Sequence, residues 1–135
     1  MSRPREEDYV FYQGEKYSIE FYFTEKGELP VKEYFDSLER HVQIKLLTLA
    51  KYLAEYGRLF DETKFRIVEK NEKIYEFKPM SERFFSFFYT GKKIIITNAY
   101  RKKGQKVNTR ELAKAISSKK DYEFRVKGGV YYENP

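Results

Sequence analysis

The segment from Glu39 to Gly57, ERHVQIKLLTLAKYLAEYG, constrains the fold more than any other stretch. Leu38, Val42, Leu46, Leu49 and Leu53 recur at spacings of four, four, three and four. That is the period of one helical face, and a helix with such a stripe must bury it against another element. Gly57 stands where the residue after a helix adopts the left-handed conformation. Just upstream, LPVKEYFDSL reads as a shorter helix with Pro30 near its first position, where a missing N–H is harmless. A helical hairpin follows, and its partner surface must come from the rest of the chain.

That surface is built from strands. KYSIEFYF, Lys16 to Phe23, alternates and is rich in β formers. The preceding DYVFYQGE can pair with it through a turn at Gly14-Glu15, and TEKGE is a turn after it. RLFDETKFRIVEKNE reads as a loop with room for a short strand. KIYEFK, ERFFSFFY and KKIIITNAY are three short strands, the last two joined at Thr90-Gly91, and they predict an antiparallel meander. NTRELAKAISSKKDY reads as a helix capped by Asn108 or Thr109. The tail EFRVKGGVYYENP has extended character and a Gly-Gly turn, and it either adds a strand or frays. The expected architecture is α+β: a small antiparallel β-sheet, an N-terminal helical hairpin packed on one face, and a C-terminal helix. A chain of 135 residues fits one domain, residues 1–135, with 1–15 and 123–135 as its less constrained extensions.

Composition narrows the function classes. There is no Cys and one histidine, His41, so neither a disulfide framework nor a thiolate or His-rich metal site is expected, and no cofactor. MSRPREEDY carries no apolar signal core, and no apolar run approaches the roughly 20 residues of a membrane span. A cytoplasmic protein without a membrane partner is expected. Charge is uneven. Residues 1–72 hold 12 basic and 15 acidic side chains, net −3, whereas residues 73–135 hold 15 and 6, net +9. Such asymmetry suggests an electrostatic face for an anion, with nucleic acid the leading candidate.

The positive charge concentrates at YRKKGQKVNTREL, where five of the ten residues from Arg101 to Arg110 are Lys or Arg and none is acidic. If the hairpins close, Lys78, Arg83, Lys102, Lys103 and Lys106 gather at this strand-to-helix corner. A binding face needs cations for phosphates. A nuclease must also activate a 2′-hydroxyl, stabilise charge on the scissile phosphate and protonate the leaving oxygen. A lysine crowded by other cations has a lowered pKa and can exchange a proton near neutrality, whereas arginine stays cationic. The alternative is a solvated loop. On that view Tyr89 and Tyr100 are core or interface residues, Glu76 pairs across a strand with a lysine, and His41 is a helix residue without chemistry.

The ordered set of segments resembles the RelE/ParE toxin superfamily, most closely its HigB-like, phage-derived branch. The words that carry the resemblance are LPVKEYFDSLERHVQIKLLTLAKYLAEYG, KIYEFK, ERFFSFFYTGKKIIITNAYRKKGQKVNTREL and AKAISSKKDY, together covering residues 29–57 and 73–122. The resemblance implies a type II toxin–antitoxin toxin that cleaves mRNA on the ribosome without a metal. It implies catalytic roles for Arg83, Lys102, Lys103 and Tyr122, and RNA-binding roles for Lys78, Lys92, Arg101, Lys106, Arg110 and Asp121. Some members have His after the Asp-Tyr pair, where this chain has Glu123. The implied partners are the ribosome with its mRNA and a cognate antitoxin, a helix-turn-helix protein. A ParE-like gyrase inhibitor and a non-catalytic RNA-binding module are the alternatives.

Overall fold

A computed structural model describes residues 3–59 and 61–133. Met1, Ser2, Asn134 and Pro135 of the expected extensions, and Phe60 of the expected loop, lie outside the described residues. The elements in chain order are α1 Glu6–Tyr9, β1 Val10–Gln13, β2 Ser18–Phe21, α2 Pro30–Asp36, α3 Arg40–Tyr56, β3 Phe65–Glu69, β4 Ile74–Phe77, β5 Glu82–Tyr89, β6 Lys93–Arg101 and α4 Thr109–Lys127.

The leucine stripe does what its period demands. Val42, Leu46, Leu49 and Leu53 are buried on α3, and Leu38, in the link after α2, packs partly buried against the same core. Gly57 ends the helix at φ 83°, its N–H reaching Leu53 O at 2.8 Å. Another carbonyl of that last turn, Ala54 O, accepts from Lys16 N at 2.7 Å and Tyr17 N at 3.1 Å. The β1–β2 turn therefore caps α3. Gly14 permits the approach, because a Cβ there would come within 2.6 Å of the Ala54 backbone.

The sheet has six strands in the order β1-β2-β6-β5-β4-β3, and it is mixed. The hairpin β1–β2 and the meander β3–β4–β5–β6 are antiparallel, but β2 runs parallel to β6. A wholly antiparallel sheet was the expectation. The correction has a simple origin: β2 reaches β6 through two helices and three strands, so no tight turn dictates its direction. The short strand for which the RLFDETKFRIVEKNE segment has room is the edge strand β3, Phe65–Glu69.

Both faces of the sheet are covered. On one, α2 and α3 bury Ile19, Phe21, Phe77, Phe84, Ile94 and Ile96. On the other, α4 and the tail bury Phe23, Ile74, Phe85, Phe87 and Ile95. This explains the unbroken Ile94-Ile95-Ile96 run, whose neighbours alternate between two apolar layers. The tail also departs from expectation. Glu123 to Lys127 continue α4, where Arg125 bridges Asp121 at 2.8 Å. Beyond the helix, Tyr131 is buried against Phe23, ring centroids 4.0 Å apart, and its hydroxyl accepts from Phe23 N at 2.9 Å. No helix among the described residues is long and apolar enough to cross a membrane.

Candidate nucleic-acid interface

In the antiparallel register, Arg66 of β3 faces Glu76 of β4, Glu76 faces Phe85 of β5, and Arg83 faces Tyr100 of β6. Residues opposite or two apart share a face, so Arg66, Glu76, Arg83 and Tyr100 all lie on the α4 side of the sheet. Lys78 and Lys102 follow at the exits of β4 and β6. The exits are pinned, with Lys78 N donating to Lys64 O and Lys102 N to Ser81 O, both at 2.8 Å.

The guanidinium groups are held firmly. Arg83 Nη1 donates to Met80 O and Glu82 O, each at 2.8 Å, and the side chain is only 12% exposed. Its Nε stands 3.9 Å from Glu76 Oε1. Arg66 Nε donates to the other oxygen, Oε2, at 2.7 Å. Glu76 itself is buried, so one carboxylate sits between two arginines. Burial lowers the Lys78 pKa below the ordinary lysine value, and the nearby Arg66 and Arg83 lower it further. The Tyr100 hydroxyl accepts from Asn108 N at 3.4 Å, tying the ring to the start of α4, and burial raises its pKa. Asn108 caps that helix by accepting from Glu111 N at 3.1 Å. Lys103, Lys106 and Arg110 are exposed on the loop and first turn beyond. Among the described residues, no group of three or more His, Asp or Glu side chains is placed to hold a metal ion.

A family model described as Phage derived protein Gp49-like (DUF891) matches residues 33–120, about two thirds of the chain. The chain belongs to this Gp49-like family. The matched span contains all of the cations just described, whereas β1, β2 and the tail lie outside it. Among curated proteins, none matches the chain.

Within this Gp49-like chain the residues singled out from sequence separate into groups. Lys78 lies near enough to Arg83 and Lys102 to feel both charges, and Lys103, Lys106 and Arg110 follow Lys102 along the exposed chain into α4. Arg101 is on the other face, where its Nε donates to Glu82 Oε2 at 3.1 Å and the Tyr34 hydroxyl donates to Glu82 Oε1. Lys92 lies in the β5–β6 turn, at the opposite end of a strand whose nine residues span about 26 Å at the usual rise. Asp121 and Tyr122 depart most from the expected roles. Tyr122 has no exposed surface. Its ring packs on Phe87, Tyr89 and Tyr131, and its hydroxyl lies 2.6 Å from that of Tyr132. Phe87 is four residues from Arg83, about 13 Å along β5. Burial, above all else, raises the Tyr122 pKa, so its hydroxyl is no proton acceptor near neutrality. Asp121 accepts from the Tyr22 hydroxyl and pairs with Arg125. Neither residue reaches the corner in this fold.

One neighbour of the cluster, Arg66, is not singled out by the sequence, and another, Glu76, has a different partner from the one expected. Arg66 lies in the segment expected to be a loop with room for a short strand, and that short strand is β3. Glu76 pairs with this arginine rather than with a lysine.

Proposed function

We propose that this Gp49-like protein is the toxin of a type II toxin–antitoxin pair and that it cleaves mRNA on the ribosome. The carrying observation is the convergence of Lys78, Arg83 and Lys102, with Tyr100, on one partly open face inside the family-matched span. Cleavage of RNA through its own 2′-hydroxyl needs a proton acceptor, a fixed cation and a proton donor. Lys78 in its neutral form takes the 2′-hydroxyl proton as the 2′-oxygen attacks phosphorus. Arg83, preset by two backbone carbonyls, meets the charge that grows on the phosphate oxygens. Protonated Lys102 or Lys103 delivers a proton to the departing 5′-oxygen, leaving a cyclic phosphate. Tyr100, rather than Tyr122, offers a ring beside Arg83 for a base to stack on. Lys106 and Arg110 extend the phosphate contacts along the strand. No step in this scheme calls for a metal. The antitoxin that silences such a face has an acidic segment to lay across it.

The test is a translation extract programmed with a defined mRNA. Added protein should arrest synthesis and leave mRNA cut at the ribosomal position, with naked mRNA intact. Uncut mRNA alongside inhibited DNA gyrase would replace this reading with the ParE-like one, and RNA binding without either effect would leave a non-catalytic RNA-binding module.

A further inference from the structure

We infer that Arg66 holds a second phosphate of the bound RNA strand, and that Glu76 is a positioning residue that fixes Arg66 and Arg83 side by side. The inference rests on the reading of this face as an RNA site, and it adds a residue to that site.

The geometry is more elaborate than an ordinary cross-strand ion pair requires. A buried carboxylate is neutralised by one arginine, and Arg66 supplies it through Nε alone at 2.7 Å. Arg83 is nevertheless brought to 3.9 Å from the second oxygen. Two guanidinium groups around one carboxylate leave a net positive site, and Lys78, which senses both, adds to it. Arg83 Nε and Glu76 Oε1 are buried and form no hydrogen bond. Folding has thus packed like charges together beyond what neutralisation asks, at a cost that an anion would relieve. Arg66 has the orientation to share in that role. Its Nε is anchored inward, the side chain is 32% exposed, and no hydrogen bond or ion pair among the described residues occupies its two terminal nitrogens. That leaves the planar fork free for a phosphate, and Glu76 fixes the plane.

The dimensions call for more than one phosphate. Arg66, Lys78, Arg83 and Lys102 belong to or directly follow β3, β4, β5 and β6, four neighbours in the sheet. Three strand spacings amount to about 14 Å, wider than one phosphate group can bridge. Arg66 stands on the edge strand, at the end of this row farthest from α4's first turn, where the strand of RNA leaves or enters the face.

The experiment measures binding of a fluorescein-labelled single-stranded RNA to the full chain by anisotropy across a range of KCl concentrations. Arg66→Ala should weaken binding and reduce the slope of log K against log salt by about 0.7, the value for one phosphate contact on a single strand. Arg66→Lys, which keeps the charge, should restore most of the slope. Glu76→Gln provides a second, opposed readout. It raises the local charge by one, so a face that acts only by its total charge would bind RNA more tightly. Loss of positioning predicts weaker binding instead, with folding checked by the urea midpoint of each variant. An unchanged slope in Arg66→Ala, on a wild-type background that binds RNA in a salt-dependent way, would overturn this inference alone. Wild-type binding that ignores salt would overturn both the inference and the RNA face beneath it.

Discussion

Replacing Tyr122 by Phe should cost stability and leave the chemistry of the basic face unchanged. Tyr132 donates to Glu20 Oε1 at 2.7 Å, so its own oxygen is the acceptor for the Tyr122 hydroxyl, 2.6 Å away. The Tyr122→Phe variant would keep every ring contact and lose only that bond, a net loss of about 1 kcal/mol. Tyr122→Ala removes the ring from between Phe87, Tyr89 and Tyr131, and a buried aromatic truncated in this way costs about 3–5 kcal/mol. That is a large share of the roughly 5–15 kcal/mol by which a domain is stable. Urea denaturation reads both values from the midpoint, provided the m-value holds. Single-turnover cleavage, expressed per folded molecule, should be the same for the Tyr122→Phe variant and the wild type. A Tyr122→Phe variant with an undisturbed midpoint and a rate reduced about 100-fold, the scale of a lost transition-state donor, would show that the Tyr122 hydroxyl acts on the substrate and would refute this reasoning.

Three further outcomes are expected. Leu49→Ala, in the buried stripe of α3, should lose roughly 2–5 kcal/mol in chemical denaturation, and a loss under about 0.5 kcal/mol would contradict the packing of α3 on the sheet. The pKa of Lys78 is depressed, so its neutral form appears below the ordinary value of 10.5, and the cleavage rate should climb with pH through that lowered pKa; the same limb surviving in Lys78→Ala would remove Lys78 from the proton transfer. Association with the antitoxin should slow steeply as salt rises if, as proposed, it lays an acidic segment on the cationic face; a rate indifferent to salt would place the contact on the exposed apolar side of α3, at Ile44, Leu47, Tyr52 and Tyr56.

The legible parts of the fold were those whose signal is periodic. The α3 stripe, its glycine stop and the β4–β5–β6 meander could be read because spacing and turn residues agree. Pairing between β2 and β6 could not be read, since alternation identifies a strand but says nothing of its neighbour across two intervening helices. Strand β3 was legible only as room for a short strand, because Arg66 and Glu69 sit among its apolar residues, as befits the edge of a sheet. In the candidate site, the clustering of Lys78, Arg83 and Lys102 could be read because they mark the ends of recognisable strands. Arg66 was not, being placed beside Glu76 only by the β3–β4 register. Tyr122 was assigned to chemistry on the strength of a two-residue word. The helix itself carried another signal: Leu112, Ala115 and Tyr122, three and seven apart, fall on one face, and the structure buries Ala115 and Tyr122 there.

The most direct test of the account is the effect of Arg83→Ala on single-turnover cleavage of ribosome-bound mRNA at saturating protein, measured together with ribosome affinity. In the proposed mechanism Arg83 meets the charge that develops on the phosphate rather than the resting substrate, so its loss should fall on the rate. The expected result is a rate reduced by about 10²–10³-fold with ribosome affinity changed far less. A variant that is folded and cuts at the wild-type rate would contradict the claim that this corner of the sheet is the active site.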